Sequence, residues 1–511
     1  SSFTQVFVFE NASGTSINAT VRNLTIDGNA RGNGLPYTLS SVTGTFVAGE
    51  TINNGTDNFT VVDVDGTTLY IYETTTTDSP GGFDSLEVGD TITGGTSGAT
   101  ATIATDPGEY VYQQSHCLSF GPKGAKGINR LTVENVHFVD PTADGLNIGG
   151  NATNTVGDVI LRGITQETRN RVRSDITVTA CFDTMSISQC VVDKFEYELN
   201  AHTTSLAHKT TVNGLICRKS FDVTHGGTTA LSHKDYPVFS ASGLIVDGYL
   251  QLGGAHFSFA DPTFRLSCSP RMYDGRYEFH GGRSFFGING ASFTPTKGWY
   301  SDGSASPEKV LFDDHTFDCH DDADATLSEY FSDLNAFNAT AETFEFINCR
   351  FLNDAVKAAT LRSGKFRFRG CEHNYAGASI TYGDVNASGV TNELDLFDNI
   401  VTHASGLLVA CPSGGNQLDI RMRGNVHKSQ TSLITFNAAR VMSPRGSGSV
   451  LNFVEVDDYQ MSATPTSGDF LAGQRVYYLA PAAGASWGVQ CTTTGTAGTS
   501  AVFKSLGNLA A

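Results

Sequence analysis

Phe344-Glu-Phe-Ile-Asn-Cys349 and Phe366-Arg-Phe-Arg-Gly-Cys371 are one phrase written twice, about 22 residues apart. Two rings separated by one residue stand on the same face of a strand, and the Asn or Gly that follows is a turn-former. Working outward, the same apolar-x-apolar-x-turn pattern recurs about every 22 to 34 residues. It appears at Leu131-x-Val133-x-Asn135, Val159-x-Leu161-x-Gly163, Met185-x-Ile187-x-Gln189, Leu215-x-Cys217-x-Lys219 and Leu244-x-Val246-x-Gly248. It continues at Tyr277-x-Phe279-x-Gly281, Val310-x-Phe312-x-Asp314 and Leu394-x-Leu396-x-Asp398. Strand alternation at one supersecondary period is the signature of a solenoid. A second short strand follows the turn at Asp144–Ile148, Asp175–Val178, Phe195–Leu199, Phe221–Val223 and Phe257–Phe259. Two or three short strands per repeat without a helical period predict an all-β chain folded as a parallel β-helix.

Composition supports this class. Gly 55 and Phe 33 against Met 5, with only 17% charged residues, describe a core of stacked aromatic and branched side chains. A net charge of -19 disfavours nucleic acid and anionic membrane surfaces as partners. No apolar run is long enough to span a bilayer, so membrane insertion is not expected, and the first residues lack the basic and apolar regions of a signal peptide. Ten cysteines without CxxC spacing do not make a disulfide framework. Cys190, Cys349 and Cys371 each follow the turn column, and they are expected to stack on one another as buried thiols.

Four segments follow. Residues 1–41 read as the first coil, with strand alternation through Val21–Asn29. Residues 42–105 break the period and contain an echo, Phe46-x-x-Gly-Glu-Thr-Ile52 against Leu86-x-x-Gly-Asp-Thr-Ile92, which marks a small inserted β module. Residues 106–458 carry the main solenoid, and 459–511 form a C-terminal module of short strands joined by glycine turns.

The insertion's Gly49-Glu-Thr-Ile52 and Thr96-Ser-Gly-Ala-Thr100 resemble β modules common in phage structural proteins. The phrase from Gly473 to Gly507 resembles the hairpin module that closes many phage tail proteins and virion-associated polysaccharide depolymerases. It departs from that pattern at Thr499-Ser-Ala501, where a second tryptophan is often found. With the central repeat, the whole chain resembles a phage tailspike of the pectate-lyase-like right-handed parallel β-helix type. That resemblance implies a homotrimer on the virion, attached to a tail or baseplate through a region before residue 1 and acting on bacterial polysaccharide at the host surface. One β-helix hosts hydrolases, lyases and plain adhesins, so the chemistry must come from residues.

Alternation turns the polar residues of the second strands outward. Asp144 and Asn147 stand on one coil, then Asp175, Thr177 and Thr179, then Glu196, Glu198 and Asn200, then Asp222, Thr224 and His225, then His256, Ser258 and Asp261. Strands stacked ~4.8 Å apart convert these positions into a polar stripe suited to a sugar chain. A glycoside hydrolase needs two carboxyl groups, and Glu198 with Asp175 or Asp222 is the expected pair. Asn147, Glu196, Asn200, His225 and His256 are expected to bind substrate, and Arg171 and Arg173 to hold anionic groups on it. The same residues could instead be solvated strand positions, and the arginines a loop that neutralises nearby acids.

A lyase acting on a uronate polymer is the alternative chemistry, with His225, His233, Lys234 or Tyr236 as base; a non-catalytic receptor-binding adhesin is the other rival. Asp318, Asp321 and Asp322 form a second-choice carboxylate cluster, whereas Asp314 and His315 match the turn columns of Asn348 and Cys349. No cofactor or resident metal is expected: Ca²⁺ is conceivable there, but no EF-hand spacing is present.

Overall fold

A computed structural model describes the chain from Phe7 to Asn508. Outside the description lie residues 13, 29–33, 56–57, 74–85, 106–115, 140, 142–143, 152, 168–174, 180–181, 199–207, 225–236, 267–268, 274, 287–298, 302–306, 320–328, 336–342, 354–356, 364, 375–378, 383–391, 402–406, 411–416, 424–425, 430–431, 437–438, 443–449, 457–458, 462–463, 465–468, 471, 474 and 479–482. From 401 to 463 only the backbone is described, Arg421 apart. Among the described residues every regular element is a strand. The chain divides into two compact units, Ser1–Phe239 and Ser240–Ala511.

In the first unit, outside residues 35–105, each strand pairs in parallel with its counterpart one repeat away. Ile17–Asp27, Ile128–Val139, Val156–Arg162 and the first half of Phe182–Glu198 form one row. Phe7–Glu10, Leu118–Gly121, Leu146–Ile148, Ile176–Val178 and the second half of Phe182–Glu198 form another. Lys209–Thr224 continues both rows, with Ile187 opposite Val212 and Phe195 opposite Phe221. The second unit repeats the scheme through Ala255–Ala260, Gly275–His280, Pro307–Asp313, Thr343–Ile347, Lys365–Arg369 and Asn392–Phe397. Register puts like residues on top of one another. Phe259, Phe279, Phe312, Phe346 and Phe368 make one continuous stack, with successive centroids 5.0, 4.3, 5.7 and 4.6 Å apart. Each such pair adds about 0.5–1.5 kcal/mol beyond the area it buries.

The turn column is left-handed backbone. Asn135, Gly163, Gln189, Gly281, Asp314, Asn348, Gly370 and Asp398 all have φ between 52° and 66°, a region open to glycine and tolerated by Asn and Asp. Neighbouring coils exploit the missing glycine side chain. A Cβ on Gly163 would lie 2.6 Å from Asn135 Oδ1, and one on Gly370 would lie 2.6 Å from Asn348 Oδ1. The amide of one turn therefore occupies the space above the glycine of the next.

Several expectations need correction. The turn residues of the fourth and fifth repeats are Gly214 and Gly243, with φ of 70° and 61°, rather than Lys219 and Gly248. Buried alternation runs on both sides of each turn, with Thr210 and Val212 before Gly214 and Phe239 and Ala241 before Gly243, so alternation alone does not say which pair comes first. Phe257–Phe259 pairs with Tyr277–Phe279 and so belongs to the strand before the turn, with Asp261 (φ 50°) as its turn residue. Of the three expected stacked thiols, Cys349 and Cys371 are neighbours, each hydrogen-bonded to interior carbonyls, and burial raises the Cys349 thiol well above its usual value. Cys190 instead lies opposite Leu215 in the first unit.

The inserted module is a closed six-stranded antiparallel barrel. Its first strand, Leu35–Thr43, pairs with Thr68–Glu73 and Thr100–Thr105, so the module starts before the expected residue 42. The sequence echo is a structural repeat: Gly49 N–H donates to Val61 O and Gly89 N–H to Ile103 O, while Val61 and Ile103 return bonds to Glu50 O and Asp90 O. Near the C-terminus, Tyr459–Met461, Arg475–Tyr478, Gly488–Thr493 and Val502–Ser505 form a four-stranded sheet over Val476, Val489, Cys491 and Ala497.

Candidate functional site

The second-strand row of the first unit aligns one column of side chains between buried apolar ones. Ser119 lies opposite Asn147, Asn147 opposite Thr177, Thr177 opposite Glu196, and Glu196 opposite Asp222. The flanking residues Leu146, Ile148, Ile176, Val178, Phe195, Tyr197, Phe221 and Val223 are all buried, which fixes the strands carrying this column. Asn147, Glu196 and Asp222 are half-buried, and Thr177 is 1% exposed at the floor between Asn147 and Glu196.

This register changes the expected carboxylate pair. Glu198 lies opposite Thr224, not Asp222, and its side chain falls outside the described part. Glu196, expected only to bind, is the true neighbour of Asp222. Successive parallel strands are ~4.8 Å apart, so the backbone sets these two carboxyl-bearing positions side by side.

Asp175 does not stand in the stripe. It is 2% exposed, and its carboxylate accepts hydrogen bonds from the Asp193 and Lys194 backbone N–H groups and from Gln166 Nε2. The adjoining Asp193 carboxylate is itself held by Arg218 at 2.9 Å and Lys219 at 3.4 Å, and Arg218 also donates to Gln166 O. Three donors on one buried carboxylate make a structural bracket at the corner of the coil. A catalytic acid must offer its oxygens to substrate, and both oxygens of this one are taken by protein donors.

His256 is also displaced. It lies opposite Arg276 on the strand preceding a turn, 3.8 Å from Glu278, so it is not in the column that holds Asn147 and Asp222. Of the second-choice cluster, Asp318 is a half-buried strand residue opposite Phe285 and Leu352. His315 beside it is interior, hydrogen-bonded to Gly281 O and Ser284 Oγ; burial pushes its pKa down to about 4, which keeps it neutral. Arg171, Arg173, Asn200, His225, His233, Lys234, Tyr236, Asp321 and Asp322 lie outside the described residues. No group of three or more His, Cys, Asp or Glu suited to a metal ion occurs among the described residues.

A feature unread in the sequence is His116. Its Nδ1 is 3.0 Å from Asp144 Oδ2, both side chains being at most 1% exposed, and its Nε2 is 2.7 Å from Asn147 Nδ2. The Nδ1 contact is close but poorly aligned for a hydrogen bond. Asp144, expected to face outward, is therefore buried behind the column. No sequence signal marks His116, because a lone histidine ahead of a strand has no spacing to read.

No family model matches the chain, and no curated protein matches it.

Proposed function

We propose that the stacked parallel rows are the sheets of a right-handed parallel β-helix, and that the protein is a phage tailspike depolymerase that binds and cleaves a bacterial surface polysaccharide. The observation that carries this reading is the in-register column Ser119, Asn147, Thr177, Glu196 and Asp222. Neutral hydroxyl and amide groups run into a pair of adjacent carboxyl-bearing positions, which is the composition needed to hold a sugar chain and cut it. Glu196 and Asp222 supply the two roles: one protonates the leaving oxygen, and the other attacks the anomeric carbon. A protonated acid beside an ionised nucleophile is the division that retaining hydrolysis uses. The net charge of -19 favours a neutral substrate over a polyanion at this acidic pair. That consideration puts hydrolysis ahead of β-elimination on a uronate polymer.

The C-terminal sheet, with Tyr477 stacked on Trp487 at 5.1 Å, supports the further reading that three copies assemble through this module. Light scattering of the full chain should then give three times the chain mass of 54.4 kDa, and a monomer mass would remove the trimer.

Incubation of the protein with a panel of purified capsular, exopolysaccharide and O-antigen polymers tests the function. Release of reducing ends without ultraviolet-absorbing product supports hydrolysis. Unsaturated product would make the protein a lyase, and binding without cleavage would make it an adhesin.

A further inference from the structure

In the column, Asn147 Oδ1 and Thr177 Oγ1 are buried and have no hydrogen-bond partner among the described residues. Their residues are opposite one another on adjacent parallel strands, with Glu196 next in line. Buried polar groups left open by the protein are met by water or by a ligand, because leaving one unpaired costs about 1–3 kcal/mol.

The carboxamide is not free to turn. Its Nδ2 lies 2.7 Å from His116 Nε2, and an amide N–H can donate there only if Nε2 carries a lone pair. The ring proton then sits on Nδ1, the nitrogen 3.0 Å from the buried Asp144 carboxylate, where charge attraction favours it. This assignment gives Asn147 Nδ2 its acceptor and places the ring proton on the side of the Asp144 carboxylate, and it leaves Asn147 Oδ1 as an acceptor beside the Thr177 hydroxyl, which can both donate and accept. A vicinal diol presents the matching groups.

We propose that Asn147 and Thr177 form a subsite for the adjacent hydroxyls of a neutral sugar residue, placed next to the Glu196–Asp222 pair. His116, backed by Asp144, is a positioning residue that holds the Asn147 oxygen toward that sugar. This rests on the carbohydrate reading above and adds to it the location and chemical class of one bound residue. Neither His116 nor Asp144 touches the substrate.

The test is an array of purified neutral and acidic bacterial polysaccharides, probed with the full-length protein and with variants whose melting temperatures are recorded alongside. The wild type should retain a neutral polymer, and Thr177→Val, which keeps shape but removes the hydroxyl, should bind it about 10-fold more weakly, the scale of one hydrogen bond. Asn147→Ala should do the same. His116→Ala should lose affinity, and His116→Gln, whose side-chain oxygen can accept from Asn147, should recover it; equal loss in both would make His116 structural only. Unchanged binding in Thr177→Val and Asn147→Ala would overturn the subsite and leave the carbohydrate reading standing. Retention of no polymer by the wild type would remove both, and preference for acidic polymers would overturn the neutral class.

Discussion

Glu196 and Asp222 are register partners on adjacent parallel strands, each held between buried residues, Phe195 and Tyr197 on one side and Phe221 and Val223 on the other. Anchoring of this kind places both carboxyl groups on one face with little freedom of the backbone beneath them. Rigid placement is what an acid–nucleophile pair requires.

Glu196→Gln and Asp222→Asn should each fold and bind polymer while turnover falls by about 100-fold or more, the scale of losing general acid–base catalysis. Glu198→Gln, on the position opposite Thr224, should retain most activity. Reducing-end assays on the three variants decide the pair: loss confined to Glu198→Gln would return the site to the position first expected. Product stereochemistry followed by NMR should show retention, as short carboxyl separations do.

Asp175 should behave as a stability residue. Replacing it with Ala leaves the Asp193 and Lys194 N–H groups and Gln166 Nε2 without their shared acceptor, at a cost of about 2–4 kcal/mol. The expected result is a lower thermal midpoint with polymer cleavage preserved in the fraction that folds. Normal stability together with abolished cleavage would restore Asp175 to the active site.

The barrel carries its own pH dependence. Burial alone raises the Glu50 carboxyl, but hydrogen bonds from the Ser97 N–H and hydroxyl and from the Val47 and Thr96 N–H groups outweigh it and hold the pKa below 4.5. A folded value below the unfolded one means that the ionised group stabilises fully above the unfolded pKa and loses that effect as pH falls through the folded value. Protection of the barrel amides in hydrogen exchange should therefore be flat above about pH 5.5 and decline below about pH 4.5. Glu50→Gln should lower protection at neutral pH and flatten the acid decline; an unchanged profile would show that Glu50 does not control it.

The turn column offers a paired test. Gly163→Ala and Gly370→Ala place a Cβ in left-handed backbone and against Asn135 Oδ1 or Asn348 Oδ1. Each should cost about 1–3 kcal/mol, read as a lower unfolding midpoint. Combining Gly370→Ala with Asn348→Gly removes the clash and should recover part of that loss. No recovery would assign the whole effect to backbone strain.

The repeated phrase was legible because stacked parallel strands write the same core position into every repeat: Phe346 and Phe368 mark the same interior place, and Asn348 and Gly370 the same left-handed turn. The internal echo of the barrel was readable for the same reason. At Gly214 and Gly243, alternating buried residues continue on both sides of the turn, so the phase slipped and moved His256 into a column where it does not belong. The Glu196–Asp222 pairing was within reach, since Phe195 and Phe221 begin matching phrases, but counting outward residues without aligning those rings chose Glu198 instead.

What the sequence determined by itself is the all-β class, the repeat, the turn chemistry and the strands that bear polar side chains, because these are local or periodic and each residue type reports its own backbone preference. Tertiary structure alone decided which polar residues face the column and which turn inward. Asp175, just before one strand of the row, and Glu196, on the next strand, are both acids, yet one closes a bracket of buried N–H groups and the other stands beside Asp222. The His116–Asp144–Asn147 chain was equally invisible, since it links residues through space and has no spacing of its own. Burial and hydrogen-bond partners come from neighbouring coils, and composition and alternation within one strand carry no record of them.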